Sequence, residues 1–214
     1  MTYIYYTYIS EQNHSRLLSS NLGDFPKDFG EKVLKYRRWQ DGQLSLLGRL
    51  LLRNGLKKIG SPIDVKNIEY DSYNKPYLKN ENMQFNISHS GNIVVCVICD
   101  ATEIGVDIEI IKDINVSDYK IQMTEREWHS IHDSKDTKMA FFNYWTQKEA
   151  AMKAEGNGLS IPLKSFEIID NTTIINGEKF FLKKIRLDKS YKCHLAFKNG
   201  LDDTIYSPQK IEFN

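Results

Sequence analysis

The stretch IVVCVICDATEIGVDIEI, residues 93–110, contains two apolar segments separated by a short polar connection. Residues 93–99 and 104–110 are rich in β-branched side chains, which favours a strand in each segment. Helical patterns and further strands occur on both sides of the connection, and no low-complexity linker divides the chain. The sequence therefore predicts an α+β fold of two similar lobes, residues 1–102 and 103–214.

Two acidic residues, Asp107 and Glu109, lie in the second predicted strand. Alternate residues of a strand point to one face, so these carboxylates project together, about 6.5–7 Å apart. They repel each other when unpaired, and a cation between them would bind both. A solvated acidic strand face has the same pattern, so the spacing alone leaves a metal site as one of two interpretations.

A long helix is predicted over residues 136–155, which contain no Gly or Pro and are followed by Gly156. Trp145, Glu149 and Lys153 recur every four residues and therefore share one face. We expect Trp145 to anchor the helix in the core. Glu149 and Lys153 have the spacing of an ordinary surface pair, but if Glu149 converges with the strand acids, three oxygen ligands favour Mg²⁺.

The overall composition is that of a packed soluble protein, with 41% hydrophobic and 27% charged residues among 214. The 29 basic and 28 acidic residues leave a net charge of +1, so no global field favours nucleic acid as a partner. The sequence has no run of about 18 apolar residues and no signal-peptide pattern at its N-terminus. We therefore expect a cytoplasmic protein that does not enter a membrane.

The three cysteines are Cys96, Cys99 and Cys193, an odd and small number that favours a reducing compartment over a disulfide framework. Cys96 and Cys99 have the spacing of a metal or redox pair. Strand alternation would direct their sulfurs to opposite faces, and no second pair completes a zinc site. We expect all three to be buried and unpaired.

Local patterns predict further elements in the first half of the chain. Residues 3–9 favour a strand, and residues 28–54 favour two helices with an interruption near Asp41 and Gly42. Residues 85–88 are expected to form a hairpin with the first strand of the opening stretch.

In the second half, Thr124 and Glu127 have the spacing of a capping box for a helix at residues 125–131. Turn-forming Asn, Asp and Gly residues separate several short apolar segments. Strands are predicted at residues 161–169, 172–175, 179–186 and 191–197.

Four blocks of the sequence resemble the signatures of one enzyme family. IGVDIE (104–109) and WTQKEAAMK (145–153) match the G-x-D-x-E and W-x-x-K-E-A-x-x-K patterns of the 4′-phosphopantetheinyl transferases, and NKPYL (74–78) and FNISHSG (85–91) occur in that family's order and spacing. The chain is most similar to the surfactin-synthetase-activating type. That type is a monomer whose two lobes imitate two subunits of a shorter, trimeric type, so the resemblance implies a pseudo-dimer in one chain.

The resemblance implies transfer of 4′-phosphopantetheine from coenzyme A to a serine hydroxyl of an apo acyl, peptidyl or aryl carrier protein, with release of adenosine 3′,5′-bisphosphate. It implies that Asp107, Glu109 and Glu149 bind Mg²⁺ and that Lys153 contacts the pyrophosphate. Glu149, or water held by it and the metal, is the candidate base for the serine. Glu127 matches a further acidic position and is a candidate to assist.

The implied coenzyme A site lies in the cleft between the lobes and belongs chiefly to the N-terminal lobe. Lys75 and Pro76 match the pair beside the adenine, and Ser88 lies on the same pocket wall. His89 matches a histidine that contacts a coenzyme A phosphate. Two basic residues match phosphate-contacting positions more loosely, Lys32 and Lys35.

The sequence departs from the family pattern at two positions. Asn74 stands where the family commonly has glycine; asparagine tolerates a positive φ, so the turn can survive. Leu44 stands where the family often has an arginine that meets the 3′-phosphate. Arg37, Arg38 or His89 is then the candidate to compensate.

Carrier proteins present their serine on a generally acidic surface, so a docking face should combine apolar and basic side chains. Family analogy places it in residues 110–128, which offer Ile111, Lys112, Ile114, Tyr119, Lys120, Met123 and Arg126. Two other functions stay open: a metal enzyme acting on other phosphoesters, and a catalytically silent coenzyme A or carrier-binding module. The first does not explain NKPYL or FNISHSG, and the intact acidic residues count against the second.

Overall fold

The computed structural model describes residues 1–79, 81–100, 102–198, 200 and 204–213, which form an α+β fold. Its helices are α1 (His14–Asn21), α2 (Lys27–Leu34), α3 (Trp39–Lys58), α4 (Glu125–His132) and α5 (Thr137–Glu155). Its strands are β1 (Thr2–Tyr8), β2 (Ile68–Tyr70), β3 (Pro76–Leu78), β4 (Gln84–Ser90), β5 (Ile93–Cys99), β6 (Ile104–Ile110), β7 (Thr172–Ile175), β8 (Glu178–Ile185), β9 (Tyr191–Lys198) and β10 (Gln209–Lys210).

The first sheet has the strand order β10-β1-β5-β4, and α3 packs against one of its faces. All of β5 is buried, because α3 covers one side of the strand and the second sheet covers the other. Cys96 lies in the core beneath α3 and Cys99 in the core between the sheets, so the predicted opposite orientation is confirmed. Strand β10 comes from the second half of the chain and pairs in parallel with β1.

The second sheet has the order β6-β9-β8-β7 and is covered by α5. Gly105 in β6 permits a close approach of the helix, since a Cβ atom there would lie 2.1 Å from the carbonyl oxygen of Ala150. Only glycine fits such a contact between backbones. The glycine of the G-x-D-x-E motif therefore brings α5 close to the strand that carries Asp107 and Glu109.

The two sheets meet where β4, at the edge of the first, runs beside β6, at the edge of the second. Backbone N–H groups of β6 donate to Asn86 Oδ1, Ser88 Oγ and Ser90 Oγ at 2.9, 3.3 and 3.1 Å. We call these three residues the β4 side-chain ladder. They satisfy one edge of β6 and lie directly beside its acidic residues.

One predicted helix boundary is wrong. The break between α2 and α3 lies at residues 35–38 rather than near Asp41 and Gly42, which are inside α3. Gly42 allows the two helices to pack closely, because a Cβ atom there would lie 3.1 Å from the carbonyl oxygen of Val33. A glycine that permits packing looks the same in a sequence as one that ends a helix.

The strand predicted at residues 161–169 is also wrong. In the described structure, short 3₁₀ turns lie on either side of Pro162, and Ile161, Phe166 and Ile168 pack beneath α5. The apolar pattern therefore reflects core contacts without a regular strand. Helix α1 was not predicted, since only Leu17 of its sequence HSRLLSSN is buried.

The predicted helix ends in the second half are confirmed. Thr124 and Glu127 form a reciprocal capping box at the start of α4. Asp136 caps α5 by accepting from the backbone of Met139, and Gly156 ends the helix with a φ of 104°. These caps fix the position of the helix that carries Glu149 and Lys153.

Candidate active site

Asp107, Ser88 and Lys153 form a hydrogen-bonded group where β4, β6 and α5 meet. Oδ1 of the buried Asp107 accepts from Lys153 Nζ at 2.6 Å and from Ser88 Oγ at 3.1 Å, and Lys153 Nζ also lies 3.0 Å from Ser88 Oγ. The second oxygen of Asp107, Oδ2, is buried and has no hydrogen-bond partner among the described residues. A buried carboxylate oxygen without a partner is costly, so this atom is suited to bind a ligand.

Glu109 lies two residues further along β6 and accepts a hydrogen bond of 2.6 Å from Ser90 Oγ. Burial raises the pKa of this carboxyl group, and the charge of Asp107 adds to the increase, whereas the hydrogen bond from Ser90 opposes it. The β4 side-chain ladder thus holds both acids of β6, Asp107 through Ser88 and Glu109 through Ser90.

Glu149 lies one turn before Lys153 on α5. Burial raises its pKa to about 7, the charges of Asp107 and Glu109 contribute to the increase, and Lys153 opposes it. We call Asp107, Glu109, Glu149 and Lys153 the acidic cluster. The charges of Asp107 and Glu109 thus add to burial in favouring the protonated form of Glu149.

The acidic cluster is not closed around a metal position. Among the residues that the structure describes, no three His, Cys, Asp or Glu side chains are already arranged as metal ligands. Lys153 instead binds Asp107 Oδ1 directly. The donor set nevertheless fits a hard divalent cation, because its three carboxylates offer only oxygen atoms and Asp107 Oδ2 has no partner among the described residues.

Lys75 and Pro76 lie beside the C-terminal end of α5. Lys75 Nζ donates to the carbonyl oxygen of Ala154 at 3.1 Å, and burial lowers the pKa of the amine. Pro76 begins β3 and pairs with Tyr70 of β2. Asn74 has a φ of 63°, so the prediction that asparagine preserves the turn is confirmed.

Three further predicted coenzyme A residues, His89, Lys32 and Lys35, are exposed. His89 is exposed next to Ser88, although desolvation by nearby protein atoms lowers its pKa and the charge of Lys153 lowers it further. Lys35 is exposed and its Nζ lies 3.8 Å from Glu31. Lys32 is exposed and lines a cavity between α2, α3 and β2. Of the predicted coenzyme A residues, Ser88 contacts Asp107 and Lys153 directly, and His89 follows it in β4.

Glu127 does not lie at an accessible site, which removes it as a catalytic assistant. Its side chain is 1% exposed and its Oε2 lies 2.9 Å from Nζ of Lys148, which is 0% exposed. The two carboxylate oxygens also accept from the backbone of Thr124 and of Ile168, each at 2.9 Å. A carboxylate so completely occupied has a structural role.

One group of residues in the site was missed from sequence. Asn86 and Ser90 belong to the ladder, and the polar alternation in FNISHS was the signal that could have shown it. Leu44 is buried in the first core and carries no charge. Arg38, a candidate to compensate, is exposed and lies 3.9 Å from Asp41.

The predicted docking segment, residues 110–128, is only partly available. Met123 is buried in a small core with Phe141 and Phe142. Tyr119 and Trp145 pack against this core and against each other, which confirms the prediction that Trp145 anchors the helix. Ile121, by contrast, is 78% exposed. The accessible apolar group on this segment is therefore Ile121 rather than Met123.

The chain matches two family models. Residues 17–100 match the model described as 4′-phosphopantetheinyl transferase, N-terminal, and residues 103–203 match the 4′-phosphopantetheinyl transferase superfamily. The two matched segments lie on either side of the predicted boundary.

Similar proteins carry the same description. A 4′-phosphopantetheinyl transferase of Aneurinibacillus migulanus is 36% identical over 160 residues, which are 73% of this chain and 65% of that protein, so the chain spans slightly less than two thirds of this relative. A 4′-phosphopantetheinyl transferase of Bacillus subtilis is 30% identical over 194 residues, which are 82% of this chain and 85% of that protein.

The crystal structure of Thermotoga maritima holo-[acyl-carrier-protein] synthase is similar at a TM-score of 0.36 and 15% identity, over 45% of this chain and 62% of that one. This likeness is too weak to carry an argument. The family models and the B. subtilis relative together cover both halves of the sequence. The chain belongs to the 4′-phosphopantetheinyl transferase family.

Proposed function

We propose that this protein transfers the 4′-phosphopantetheine group of coenzyme A to a serine hydroxyl of an apo carrier protein and releases adenosine 3′,5′-bisphosphate. Family membership supports the reaction class. The observation that carries the assignment is the acidic cluster, in which the buried Asp107 has one oxygen bound to Lys153 and the other unpartnered. A phosphate-transfer site needs such a combination of cation-binding oxygens and a fixed ammonium group.

The residues that would hold Mg²⁺ are Asp107, Glu109 and Glu149. When bound, Mg²⁺ would neutralise charge on the pyrophosphate of coenzyme A. Ser88 and Ser90 orient two of these carboxylates through the hydrogen bonds described above.

Lys153 binds Asp107 and would provide positive charge beside the pyrophosphate. The serine oxygen of the carrier forms a bond to the phosphorus on the pantetheine side, and the bond from that phosphorus to the departing adenosine 3′,5′-bisphosphate oxygen breaks. Glu149 accepts the serine proton at a carboxylate oxygen, or a water molecule that Glu149 holds accepts it instead. Lys153 stabilises the negative charge that grows on the leaving group.

Coenzyme A would bind chiefly to residues 1–102, and the carrier and metal chiefly to residues 103–214. Lys75, Pro76 and Ser88 would line the adenine side of the pocket, and His89 would contact a phosphate. Two exposed cations at the C-terminal end of α2 would bind the remaining phosphate charge, Lys32 in the helix and Lys35 just after it.

The carrier protein would dock near residues 110–128, where Lys112, Lys120 and Arg126 provide exposed positive charge around Ile121. Such a surface suits an acidic partner. None of the described helices has the length and apolarity that crossing a membrane requires. We further propose a cytoplasmic monomer.

The test is to incubate the protein with an apo carrier, coenzyme A and Mg²⁺ and to measure the carrier's intact mass. A phosphopantetheine adduct is expected, and its absence from several carrier types would overturn the proposal. Glu149→Gln should abolish transfer while the circular dichroism spectrum is unchanged. Glu178→Gln, an exposed acid of β8 outside the proposed sites, is the matched control and should keep full activity.

A further inference from the structure

A cavity of about 260 Å³ lies between α2, α3 and β2, and none of the acidic cluster lines it. Its apolar wall includes Phe25, Phe29 and Ile68, and its polar groups include Lys32 and Arg49. Lys32 is exposed to solvent, whereas Arg49 is only 9% exposed. The cavity therefore has one cation at its surface and one in its interior.

Arg49 projects from α3 between two aromatic rings. Its guanidinium carbon lies 5.4 Å from the ring centroid of Phe29 and 5.7 Å from that of Tyr70. Nη2 donates to the hydroxyl of Tyr70 at 2.5 Å. Nη1 is buried and has no hydrogen-bond partner among the described residues.

No described acidic side chain forms a close ion pair with Arg49. Asp28 lines the same cavity, but neither it nor any other described carboxylate lies within 4 Å of an Arg49 nitrogen. A desolvated arginine normally has a carboxylate or phosphate partner, because burial of an unpaired charge is costly. The unfilled donor and the missing counter-ion point to an anion that binds here.

Arg53, one turn later on α3, is an arginine whose role is structural. Its Nη1 lies 2.7 Å from Asp24 Oδ2 and its Nη2 lies 3.1 Å from Asn21 Oδ1, while the guanidinium also stacks on Phe25. Both ends of Arg53 are occupied within the protein. Arg49 has the aromatic contacts but lacks the anion.

We propose that Arg49, together with Lys32, binds the 3′-phosphate of coenzyme A, an inference that rests on the proposed function. A phosphate monoester provides the oxygen acceptors and double negative charge that a guanidinium and an ammonium group recognise. Asn74, which precedes the Lys75–Pro76 pair proposed beside the adenine, lines the same cavity. Leu44 lies in the apolar core and cannot provide this charge.

Access to Nη1 requires a small movement, because neighbouring atoms cover it. Phe29 of α2 lies over the guanidinium, and α2 contributes only Val33 as a buried residue. Phe29 is only partly buried and packs on Phe25 at the edge of the core, so its ring can shift while Val33 stays in place. The phosphate would replace part of the ring contact with charge-assisted hydrogen bonds, which contribute more.

The test compares the dissociation constants of coenzyme A and 3′-dephospho-coenzyme A by isothermal titration calorimetry in the presence of Mg²⁺. The unmodified protein should bind coenzyme A more tightly. Arg49→Gln should weaken coenzyme A about 10- to 100-fold and leave 3′-dephospho-coenzyme A unchanged, as expected for loss of charge-assisted hydrogen bonds. Arg49→Lys should have an intermediate effect, and Arg53→Gln should change neither constant.

Equal weakening of both ligands in Arg49→Gln, or no preference in the unmodified protein, would overturn the inference while leaving carrier modification intact. If the unmodified protein neither binds coenzyme A nor modifies a carrier, the inference and the proposed function both fail. Should Arg49→Gln not fold, Lys32→Gln provides the same comparison. Lys32→Gln must then weaken coenzyme A selectively, and an unselective or absent effect counts against the site.

Discussion

Helix α5 carries two lysine–carboxylate pairs with different surroundings. Lys148 lies 2.9 Å from Glu127, and Lys153 lies 2.6 Å from Asp107. The two lysines are five residues apart, which places them about 140° apart around the helix. One pair therefore points into the interior beneath α4, and the other points toward the junction of the two sheets.

The pair of Lys148 and Glu127 is closed. Lys148 Nζ also donates to the carbonyl oxygens of Leu163 and Phe166 at 2.9 and 2.6 Å, and Glu127 accepts two backbone hydrogen bonds. Each charge thus has its hydrogen-bonding capacity filled by protein atoms. Such a pair fixes α4 and the segment after α5 in position, and it leaves no group free to bind a ligand.

The pair of Lys153 and Asp107 is open. Lys153 is 31% exposed, Asp107 Oδ2 has no partner among the described residues, and Glu149 has a raised pKa beside them. The difference teaches that distance alone does not separate a structural ion pair from a functional one. Unsatisfied donors, acceptors and charge around the pair make the distinction.

The largest expected effect is on stability and follows from breaking the closed pair. Lys148→Met leaves the charge of Glu127 buried and should lower the free energy of unfolding by about 3–5 kcal/mol. Urea denaturation measures this change. Lys138→Met removes an exposed lysine of the same helix, 3.0 Å from Asp113, and should cost about 1 kcal/mol or less. Equal losses in the two variants would contradict the distinction.

Breaking the open pair should affect activity rather than stability. Lys153→Met removes the ammonium group that the proposed mechanism places beside the leaving group, and kcat for carrier modification should fall about 10²- to 10³-fold. Quenched reactions analysed by intact mass give the rate. Near-normal kcat would exclude Lys153 from the chemistry, and a transition midpoint in urea close to that of the unmodified protein would show that the fold is retained.

A smaller effect is expected where Ser90 holds Glu109. Ser90→Ala removes the 2.6 Å hydrogen bond and one rung of the β4 side-chain ladder, and it should weaken divalent-cation binding about 10- to 100-fold. Electron paramagnetic resonance of added Mn²⁺ measures binding without catalysis. Ser130→Ala, which removes an exposed serine bonded within α4, is the control. Unchanged Mn²⁺ affinity in Ser90→Ala would show that Glu109 needs no such support.

The sequence was sufficient for the elements with a strong local signal. The β6 strand and α5 follow from β-branched residues, helical periodicity, the absence of Gly and Pro in the helix and the stop at Gly156, signals that act within a few residues. Where tertiary packing determines the structure, predictions from local sequence patterns were wrong. Gly42 permits contact between helices instead of ending one, and residues 161–169 are apolar because they pack beneath α5.

The site was predictable only in part for the same reason. The spacing of Asp107 and Glu109 shows that they share a face, but the partners of each carboxylate come from β4 and α5 and depend on the packing of two sheets. Glu127 looked like an available acid because nothing in the sequence shows its burial against Lys148. Arg49 lies among leucines in α3, and only the three-dimensional structure shows that its Nη1 has no hydrogen-bond partner among the described residues.

The smallest expected effect concerns His194, which contacts α5 without a charged partner. It is buried on β9, its Nδ1 lies 2.8 Å from Thr146 Oγ1, and burial lowers its pKa from 6.5 to about 3, with Lys184 and Lys192 adding to the decrease. Because the unfolded chain binds a proton more readily, stability from this residue is complete above pH 6.5 and is lost as the pH falls toward 3.

Each pH unit below 6.5 should cost up to about 1.4 kcal/mol of unfolding free energy, measured by urea denaturation between pH 7 and 5. His194→Gln should flatten this dependence, whereas His132→Gln, at an exposed position of α4, should not. An unchanged slope in His194→Gln would mean that other groups cause the acid sensitivity. A flattened slope would show that protonation of His194, which burial and the charges of Lys184 and Lys192 oppose, causes the acid sensitivity.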